Sequence, residues 1–471
     1  MYAKSIPAPP AGMLLFIEVT RSERMRQKRK KTSQGTKIIV VSFAVVILIG
    51  TLLLMLPFAS SSGRSCGFLT ALFTATSASC VTGLVLVDTL TAWTLFGQIV
   101  ILLMIQLGGL GFMTLIFFLV VQVRKKTSLS QRLMMVSAFN LDHLSDAVSV
   151  VKHALKITFV LEGAGAVILT LCFAPRYGWG AIWKGIFTAV SAFCNAGFDL
   201  FGPDGFGSVS VYNDHPVVML TIMALVVCGG LGFFVWEDIF RKRNFRALSL
   251  YSKMVIWLTG AFLVAGALFF FCVEFNNPDT LGTMPVWQRG LNAMFQSVTL
   301  RTAGFTSIDQ GGLRDVSAVL SCLLMLVGGS SGSTAGGLKT VTVGVLLLAL
   351  REGLRGREKI TICGRTIPQQ KVLAAVTLVL MVGVLFLASS MAIAIVDGIP
   401  YLAAAYEAAS AIGTVGLTTG ITAGLSSVSH VLLILMMYLG RVGVLSFSIA
   451  FLTQNRTADK VGYPETNVMI G

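Results

Sequence analysis

Four short apolar stretches of the sequence each end in a glycine followed by phenylalanine or leucine, and such stretches can present backbone carbonyls to a cation. The glycines are Gly83, Gly197, Gly304 and Gly416, which gives spacings of 114, 107 and 112 residues. A nearly constant period of this length indicates one supersecondary unit in four copies. Because glycine has no Cβ, it permits backbone geometries that aim carbonyl oxygens at a common axis. A ring of such oxygens can replace the hydration shell of a potassium ion.

The candidate ion-binding residues are each glycine and the two residues before it. They are Val81, Thr82, Gly83, Asn195, Ala196, Gly197, Thr302, Ala303, Gly304, Thr414, Val415 and Gly416. The segments before them suit short helices, whose C-terminal ends carry the negative end of the helix dipole and so favour a cation. Because the four sets differ in sequence, we expect fewer well-formed ion sites than in a symmetric ring.

The composition describes a polytopic membrane protein. Of 471 residues 55% are hydrophobic and 12% are charged, and the mean hydropathy is +0.82. The net charge of +15 would also suit nucleic acid, but its placement argues otherwise. Five segments hold 28 of the 36 Lys and Arg residues, and a positive-inside bias accounts for them more simply. These segments are the first 37 residues, Arg124–Lys156, Arg241–Lys253, Arg351–Lys371 and Arg456–Lys460.

Eight apolar segments are long enough to be candidate membrane-spanning helices. They are Ile38–Phe58, Leu95–Val121, Leu155–Ala174, Pro216–Phe240, Met254–Val273, Val316–Leu350 with an interruption, Val372–Val396 and Val428–Leu452. They form pairs, and one of the glycine-ending stretches lies inside each pair. The predicted fold class is therefore an all-α polytopic membrane protein with eight transmembrane helices and four re-entrant hairpins around a pseudo-fourfold pore.

The domain division follows from this pattern. We expect cytoplasmic tails at 1–36 and 456–471, and four repeats at 37–123, 150–243, 250–352 and 368–455. An even number of crossings puts both termini on one side, and the basic segments make that side the cytoplasm.

A glycine cluster marks the second helix of each pair. GGLGF begins at Gly108 and again at Gly229, and a variant begins at Gly440. In these three copies we expect close helix packing through small residues. The third copy is instead a run of ten small residues, a poor helix that predicts a break near mid-membrane. The run comprises Gly328, Gly329, Ser330, Ser331, Gly332, Ser333, Thr334, Ala335, Gly336 and Gly337.

Several charged residues lie within or beside the apolar segments. Arg441 must face the interior or a partner, since a charge is costly in lipid. It either raises a barrier to cations beneath the ring or pairs with a carboxylate or loop carbonyls. For Arg301 we expect a salt bridge to Glu274 or Glu407, and for Glu162 a partner on a neighbouring helix. Lys339 is either a companion of Arg441 or extends towards an interface.

Three aspartates follow the ring glycines at short distance, namely Asp88, Asp199 and Asp309. They either form an acidic outer funnel that concentrates cations or are ordinary solvated loop residues.

Together these stretches resemble the Trk/Ktr/HKT superfamily of potassium transporters, and the KtrB-type membrane subunit in particular. The likeness rests on the four hairpins and on GQIVILLMIQLGGLGFMT at Gly97–Thr114, RTAGFTSID at Arg301–Asp309 and YLGRVGVLSF at Tyr438–Phe447. It implies potassium uptake through one filter glycine per repeat, with Gly328–Gly337 and Arg441 forming a gate. It also implies a bacterial-type plasma membrane, a homodimer and a cytosolic RCK-type ring that binds ATP or ADP. Dependence on sodium is left open.

Two alternatives remain at this point: a secondary transporter of another small cation, and an intramembrane enzyme or receptor. The enzyme is disfavoured because HExxH, GxSxG and P-loop motifs are missing from the sequence. For the same reason we expect no catalytic residues and no nucleotide bound by this chain itself. The metal ion that we expect is K⁺ at the backbone carbonyls, and Na⁺ is left open.

Overall fold

The structure, a computed structural model, describes residues 37, 40–111, 147–202, 208–357, 359–362 and 364–443. Within 147–202, side chains are described from residue 153 onward. The predicted tails 1–36 and 456–471 lie outside the described residues, as do the ends of the first and fourth repeats.

The described residues are mostly helical. The α-helices are α1 (Val40–Leu54), α2 (Phe68–Cys80), α3 (Thr89–Ala92), α4 (Leu95–Leu110), α5 (Ala147–Tyr177), α6 (Gly180–Phe193), α7 (Pro216–Leu231), α8 (Phe233–Lys242), α9 (Leu250–Glu274), α10 (Val286–Thr299), α11 (Asp315–Leu326), α12 (Thr340–Leu354), α13 (Gln369–Asp397), α14 (Tyr401–Gly413) and α15 (Ser427–Val442). Short 3₁₀ turns cover Pro57–Ala59, Ser210–Tyr212, Phe245–Ala247 and Thr422–Gly424. A two-residue hairpin pairs β1 (Thr361–Ile362) with β2 (Arg365–Thr366).

Three helices in the described part of the chain are long and apolar enough to cross a membrane. They are His153–Tyr177 within α5, α9 and α13, and the bent pair α7 and α8 is a fourth candidate. The shorter apolar helices α1, α4, α11 and α15 overlap the other predicted spans. Residues 112–146, which follow α4, and residues 444–471, which follow α15, are not described.

The predicted span Pro216–Phe240 is bent and does not form one straight helix. The chain bends by 92° between α7 and α8. Gly232 lies at the bend with a φ of 88°, a left-handed conformation that ends a helix and that glycine adopts without steric cost. Gly111 and Gly443 end α4 and α15 with φ values of 78° and 89°. The last glycine of each of these three clusters therefore terminates its helix.

The predicted break in the third copy is confirmed. Helix α11 ends at Leu326 and α12 begins at Thr340. The intervening residues form an irregular segment, which we call the small-residue loop (residues 327–339). The loop includes the positive-φ residues Gly332 and Gly337.

The first glycine of the other three clusters packs against a neighbouring backbone, which confirms the predicted close packing. A Cβ on Gly108 would lie 2.1 Å from the carbonyl oxygen of Ser79, and one on Gly440 would lie 2.1 Å from that of Ile412. The equivalent distance from Gly229 to the Phe193 oxygen is 2.0 Å. Each carbonyl lies four residues before a ring glycine, so these contacts position the candidate site.

The four short helices α2, α6, α10 and α14 lie at the centre of the molecule. Each packs against the second helix of the preceding pair: α6 on α4, α10 on α7 and α14 on α11. Helix α2 packs on α15, which closes the circuit. Burial agrees with this arrangement, since every residue of α14 from Ala404 to Gly413 is buried, whereas most apolar side chains of α9 and α13 are partly or fully exposed.

This packing predicts that alanine lowers the stability of the protein at Gly229 but not at the adjacent Gly230. Gly229→Ala places a methyl group against the Phe193 carbonyl, and we expect a loss of about 1–3 kcal/mol in stability because neither backbone can yield easily. Gly230→Ala is the matched control, since its Cβ would lie 3.7 Å from the Asn195 amide nitrogen. Thermal unfolding of the detergent-solubilised proteins measures both. Equal melting temperatures for the two variants would contradict the packing.

Candidate ion-binding site

The four predicted glycines meet in a closed ring. A Cβ on Gly83 would lie 3.1 Å from the Cα of Gly197, and one on Gly197 would lie 2.8 Å from the Cα of Gly304. A Cβ on Gly304 would lie 3.3 Å from the Cα of Gly416, and one on Gly416 would lie 2.9 Å from the Cα of Gly83. The order around the ring is thus the order along the chain. No side chain fits at any of the four positions without displacing backbone.

Carbonyl groups accompany the glycines around this ring. The carbonyl oxygen before each glycine approaches the preceding glycine, at 2.1–2.9 Å from the position a Cβ would occupy there. The four oxygens belong to Thr82, Ala196, Ala303 and Val415. The arrangement brings all twelve predicted ion-binding residues together, and all are buried.

The residue two positions before each glycine is left-handed. The φ angles are 56° at Val81, 57° at Asn195, 65° at Thr302 and 52° at Thr414. Among the described residues only Ser208 and Arg243 are other non-glycine residues with positive φ. Such a conformation costs roughly 1–3 kcal/mol for a β-branched residue, so the surrounding contacts must impose it. Since the ring glycines also have positive φ and the residue between does not, all four loops share one alternating backbone pattern.

Hydroxyl groups that were not predicted from the sequence hold these loops in place. The Ser77 hydroxyl accepts a hydrogen bond from the amide of Gly83 at 3.0 Å, and Ser410 accepts one from Gly416 at 3.0 Å. In the other two loops the hydroxyl donates instead, Ser191 to the Phe198 carbonyl and Thr299 to the Phe305 carbonyl, both at 2.6 Å. A serine lies six residues before three of the four glycines, and this repeated spacing could have identified the hydroxyls from the sequence.

The small-residue loop lies directly against the ring loops. The Thr334 hydroxyl donates to the Phe193 carbonyl at 3.1 Å and to Asn195 Oδ1 at 3.4 Å. A Cβ on Gly336 would lie 1.9 Å from Thr414 Oγ1, so this glycine is needed for the approach. The loop therefore contacts both the second and the fourth ring loops.

The other side of the small-residue loop is bonded to the bend between α7 and α8. The amide of Ser330 donates to the Gly230 carbonyl at 3.0 Å, and the amide of Phe233 donates to the Gly332 carbonyl at 2.9 Å. The Tyr251 hydroxyl adds a bond to the Ser331 carbonyl at 2.9 Å. The two breaks in helical structure thus satisfy each other's backbone groups.

Arg441 bridges the small-residue loop and the first glycine cluster. Its guanidinium donates to the carbonyls of Thr334 and Gly108. Lys339 Nζ donates to the Ala335 carbonyl at 2.8 Å and is half-buried. Of the alternatives for Arg441, pairing with loop carbonyls is therefore present in the structure. Lys339 bonds its own loop.

The expected salt bridge of Arg301 to Glu274 or Glu407 is wrong. Arg301 donates to the Gly328 carbonyl at 3.1 Å and to Thr340 Oγ1 at 2.9 Å, at the two ends of the small-residue loop. The two carboxylates are already satisfied elsewhere. Glu274 accepts from Asn277 and Thr280, and Glu407 accepts from Thr418 and Thr422.

Each of the three aspartates beyond the ring accepts a local backbone hydrogen bond. Asp88 caps α3 by accepting from the Thr91 amide at 2.8 Å. Asp199 accepts from the Phe201 amide at 2.9 Å, and Asp309 accepts from the Gly311 amide at 3.0 Å. Asp309 is exposed, and the other two are half-buried.

Glu162 has a partner on a neighbouring helix, as predicted. The partner is Gln106 on α4, whose Nε2 donates to the two carboxylate oxygens at 3.1 and 3.2 Å.

A buried ring of backbone loops inside an apolar helical protein fits one class of protein, the membrane transporters of cations. The family model for TrkH, described as cation transport protein, matches residues 11–460, and the chain belongs to this family. The predicted superfamily resemblance is thereby confirmed. Because the family transports ions, the prediction that the chain is not an enzyme is also confirmed.

Individual relatives agree with this assignment. The chain is 39% identical over 455 residues to the potassium/sodium uptake protein NtpJ of Enterococcus hirae, covering 95% of this chain and 99% of that protein. It is 37% identical over 437 residues to the Ktr system potassium uptake protein B of Bacillus subtilis, covering 92% and 96%. The crystal structure of the potassium transporter TrkH from Vibrio parahaemolyticus matches with a TM-score of 0.70 at 19% identity, covering 89% of this chain and 85% of that one. That structural likeness supports the mainly helical fold, and the family and the apolar helices together make this a multi-pass membrane protein.

Proposed function

We propose that the protein takes up potassium across the plasma membrane through the ring formed by Gly83, Gly197, Gly304 and Gly416. The single observation that carries this proposal is the closure of the ring, in which each glycine touches the next in chain order. Relatives that match nearly the whole chain are named for potassium uptake, which supports potassium as the substrate.

In this proposal the backbone carbonyls of the ring loops take the place of the ion's hydration shell. The C-terminal ends of the short helices lead into these loops, so their dipoles add favourable potential for a cation. The alternating φ pattern supports the proposal because all four loops share it, as expected of four copies of one ion-binding loop. Because Ser77 and Ser410 bond ring amides whereas Ser191 and Thr299 bond carbonyls beyond the ring, the four loops are not equivalent. We therefore keep the expectation of few well-formed ion sites.

The proposed topology has eight crossings and four re-entrant hairpins around a pseudo-fourfold pore. Helices α2, α6, α10 and α14 have 13 or 14 residues. At 1.5 Å per residue they extend about 20 Å, which is less than the roughly 30 Å hydrocarbon core. They enter from outside and return, with both termini in the cytoplasm, in accordance with the basic segments.

The small-residue loop and Arg441 form the proposed gate. The loop contacts the ring through Thr334, and Arg441 anchors the loop to α4 by way of the Gly108 carbonyl. A positive group on this side of the ring raises the barrier to a cation. Release of the loop lowers that barrier.

Partners complete the proposal. The family resemblance implies a homodimer in the lipid membrane and a cytosolic RCK-type ring that binds ATP or ADP. The cytoplasmic links between repeats are the surfaces on which such a ring would dock. Sodium dependence is left open in the proposal, and the name of the Enterococcus hirae relative gives sodium uptake beside potassium uptake.

A serine in place of a ring glycine tests the ion path. Gly304→Ser would place its Cβ 2.4 Å from the Val415 carbonyl, at a φ of 81°. We expect potassium-over-sodium selectivity to fall by about tenfold, the equivalent of ~1.4 kcal/mol. Uptake assays in potassium-uptake-deficient cells measure it. Gly290→Ser on α10 is the control, because its Cβ would meet nothing within 4 Å. Unchanged selectivity in a normally expressed Gly304→Ser protein would overturn the assignment.

A substitution of Arg441 tests the gate. Arg441→Gln removes the charge and the bonds to Thr334 and Gly108, so the loop is released and we expect rubidium flux into proteoliposomes to rise by about fivefold or more. Arg351→Gln, an exposed arginine in the last turn of α12, is the control. Flux that stays the same or falls at equal protein content would assign Arg441 a structural role instead.

A further inference from the structure

A cavity separate from the ring lies between α4, α5 and α6. Its volume is about 330 Å³, which is within the range of pockets that hold small organic ligands. Its walls include Leu103 and Phe159, each 59% exposed, and Ile186, which is 38% exposed. These side chains belong to apolar helices, so the cavity opens sideways towards the lipid. We call it the lateral groove.

The lateral groove contains one ionisable side chain, Glu162. It is 5% exposed. Its hydrogen-bond partners among the described residues are neutral: the Gln106 amide donates at 3.1 and 3.2 Å, and the Cys194 thiol donates at 3.8 Å. A buried carboxylate is costly to ionise unless a cation pairs with it, and this one faces a cavity with apolar walls. Charge complementarity therefore calls for a cationic head on an apolar body.

We propose that the lateral groove binds a lipophilic amine, with the ammonium group on Glu162 and the alkyl chain between Leu103, Phe159 and Ile186. The ammonium group donates hydrogen bonds to the carboxylate oxygens, while the walls exclude water from the pair. Charge-assisted hydrogen bonds of this kind are among the stronger ones in proteins.

The position of Glu162 links the lateral groove to the ring loops. Cys194 donates to both Glu162 and Gln106, and it directly precedes Asn195, the left-handed residue of the second ring loop. An amine that pulls Glu162 towards the groove weakens these bonds behind the loop. Binding itself does not depend on the ring being an ion path, so the two proposals fail separately.

Photolabelling of the full-length protein in liposomes tests the proposal. The probe is a dodecylamine analogue with a photoreactive diazirine, and mass spectrometry locates the label. We expect labelling on the groove segments of α4, α5 and α6, and competition by unlabelled dodecylamine. We expect Glu162→Gln to weaken that competition by about tenfold, since one charge-assisted hydrogen bond is lost.

Two further arms keep the test decisive. Leu103→Trp fills the groove mouth and leaves the carboxylate intact, so it should reduce labelling even if Glu162→Gln does not fold. Dodecanol, which has the same chain without the charge, should compete much more weakly than dodecylamine. Equal competition by the alcohol, or equal labelling of the wild type and a folded Glu162→Gln protein, would overturn the proposal and leave only lipid contact.

Discussion

The structure depends on one steric constraint, the contact of four backbone segments at Gly83, Gly197, Gly304 and Gly416. A methyl group at any of these positions would lie within 3.3 Å of the next glycine's Cα and within 2.9 Å of a carbonyl oxygen. Real Cβ atoms do not make such contacts without displacement of the neighbour. A side chain at any one of the four positions would therefore displace the neighbouring loop. The four loops differ in the residues around the glycines.

The rest of the fold holds these segments in an unfavourable conformation. Four left-handed non-glycine residues adjoin the ring, and each costs free energy that local contacts must offset. The hydroxyls of α2, α6, α10 and α14 bond the loops from behind. The glycine clusters of α4, α7 and α15 then bring a helix into backbone contact with the last turn before three of these loops. In the third repeat the small-residue loop takes that place, and Arg301 ties its two ends together.

The sequence predicted the features that repeat along the chain. The period of the four glycines identified the ring, and the run of small residues identified the break after α11, because both are local properties of composition and spacing. Features that depend on contacts between repeats could not be predicted. At the 92° bend at Gly232, backbone groups form hydrogen bonds with the small-residue loop, which lies about 100 residues later in the sequence. Arg301 donates to a carbonyl and a hydroxyl instead of a carboxylate. Glu274 and Glu407 already accept hydrogen bonds from residues that lie close to them in the sequence.

The central claim is that the four loops bind a dehydrated potassium ion, and anomalous diffraction tests it most directly. Crystals grown in rubidium should show an anomalous peak on the axis of the ring, within coordination distance of the carbonyl oxygens of Thr82, Ala196, Ala303 and Val415. Crystals grown in sodium should lack an ion of comparable occupancy there. A ring without rubidium density, in crystals that bind rubidium elsewhere in the protein, would contradict the account.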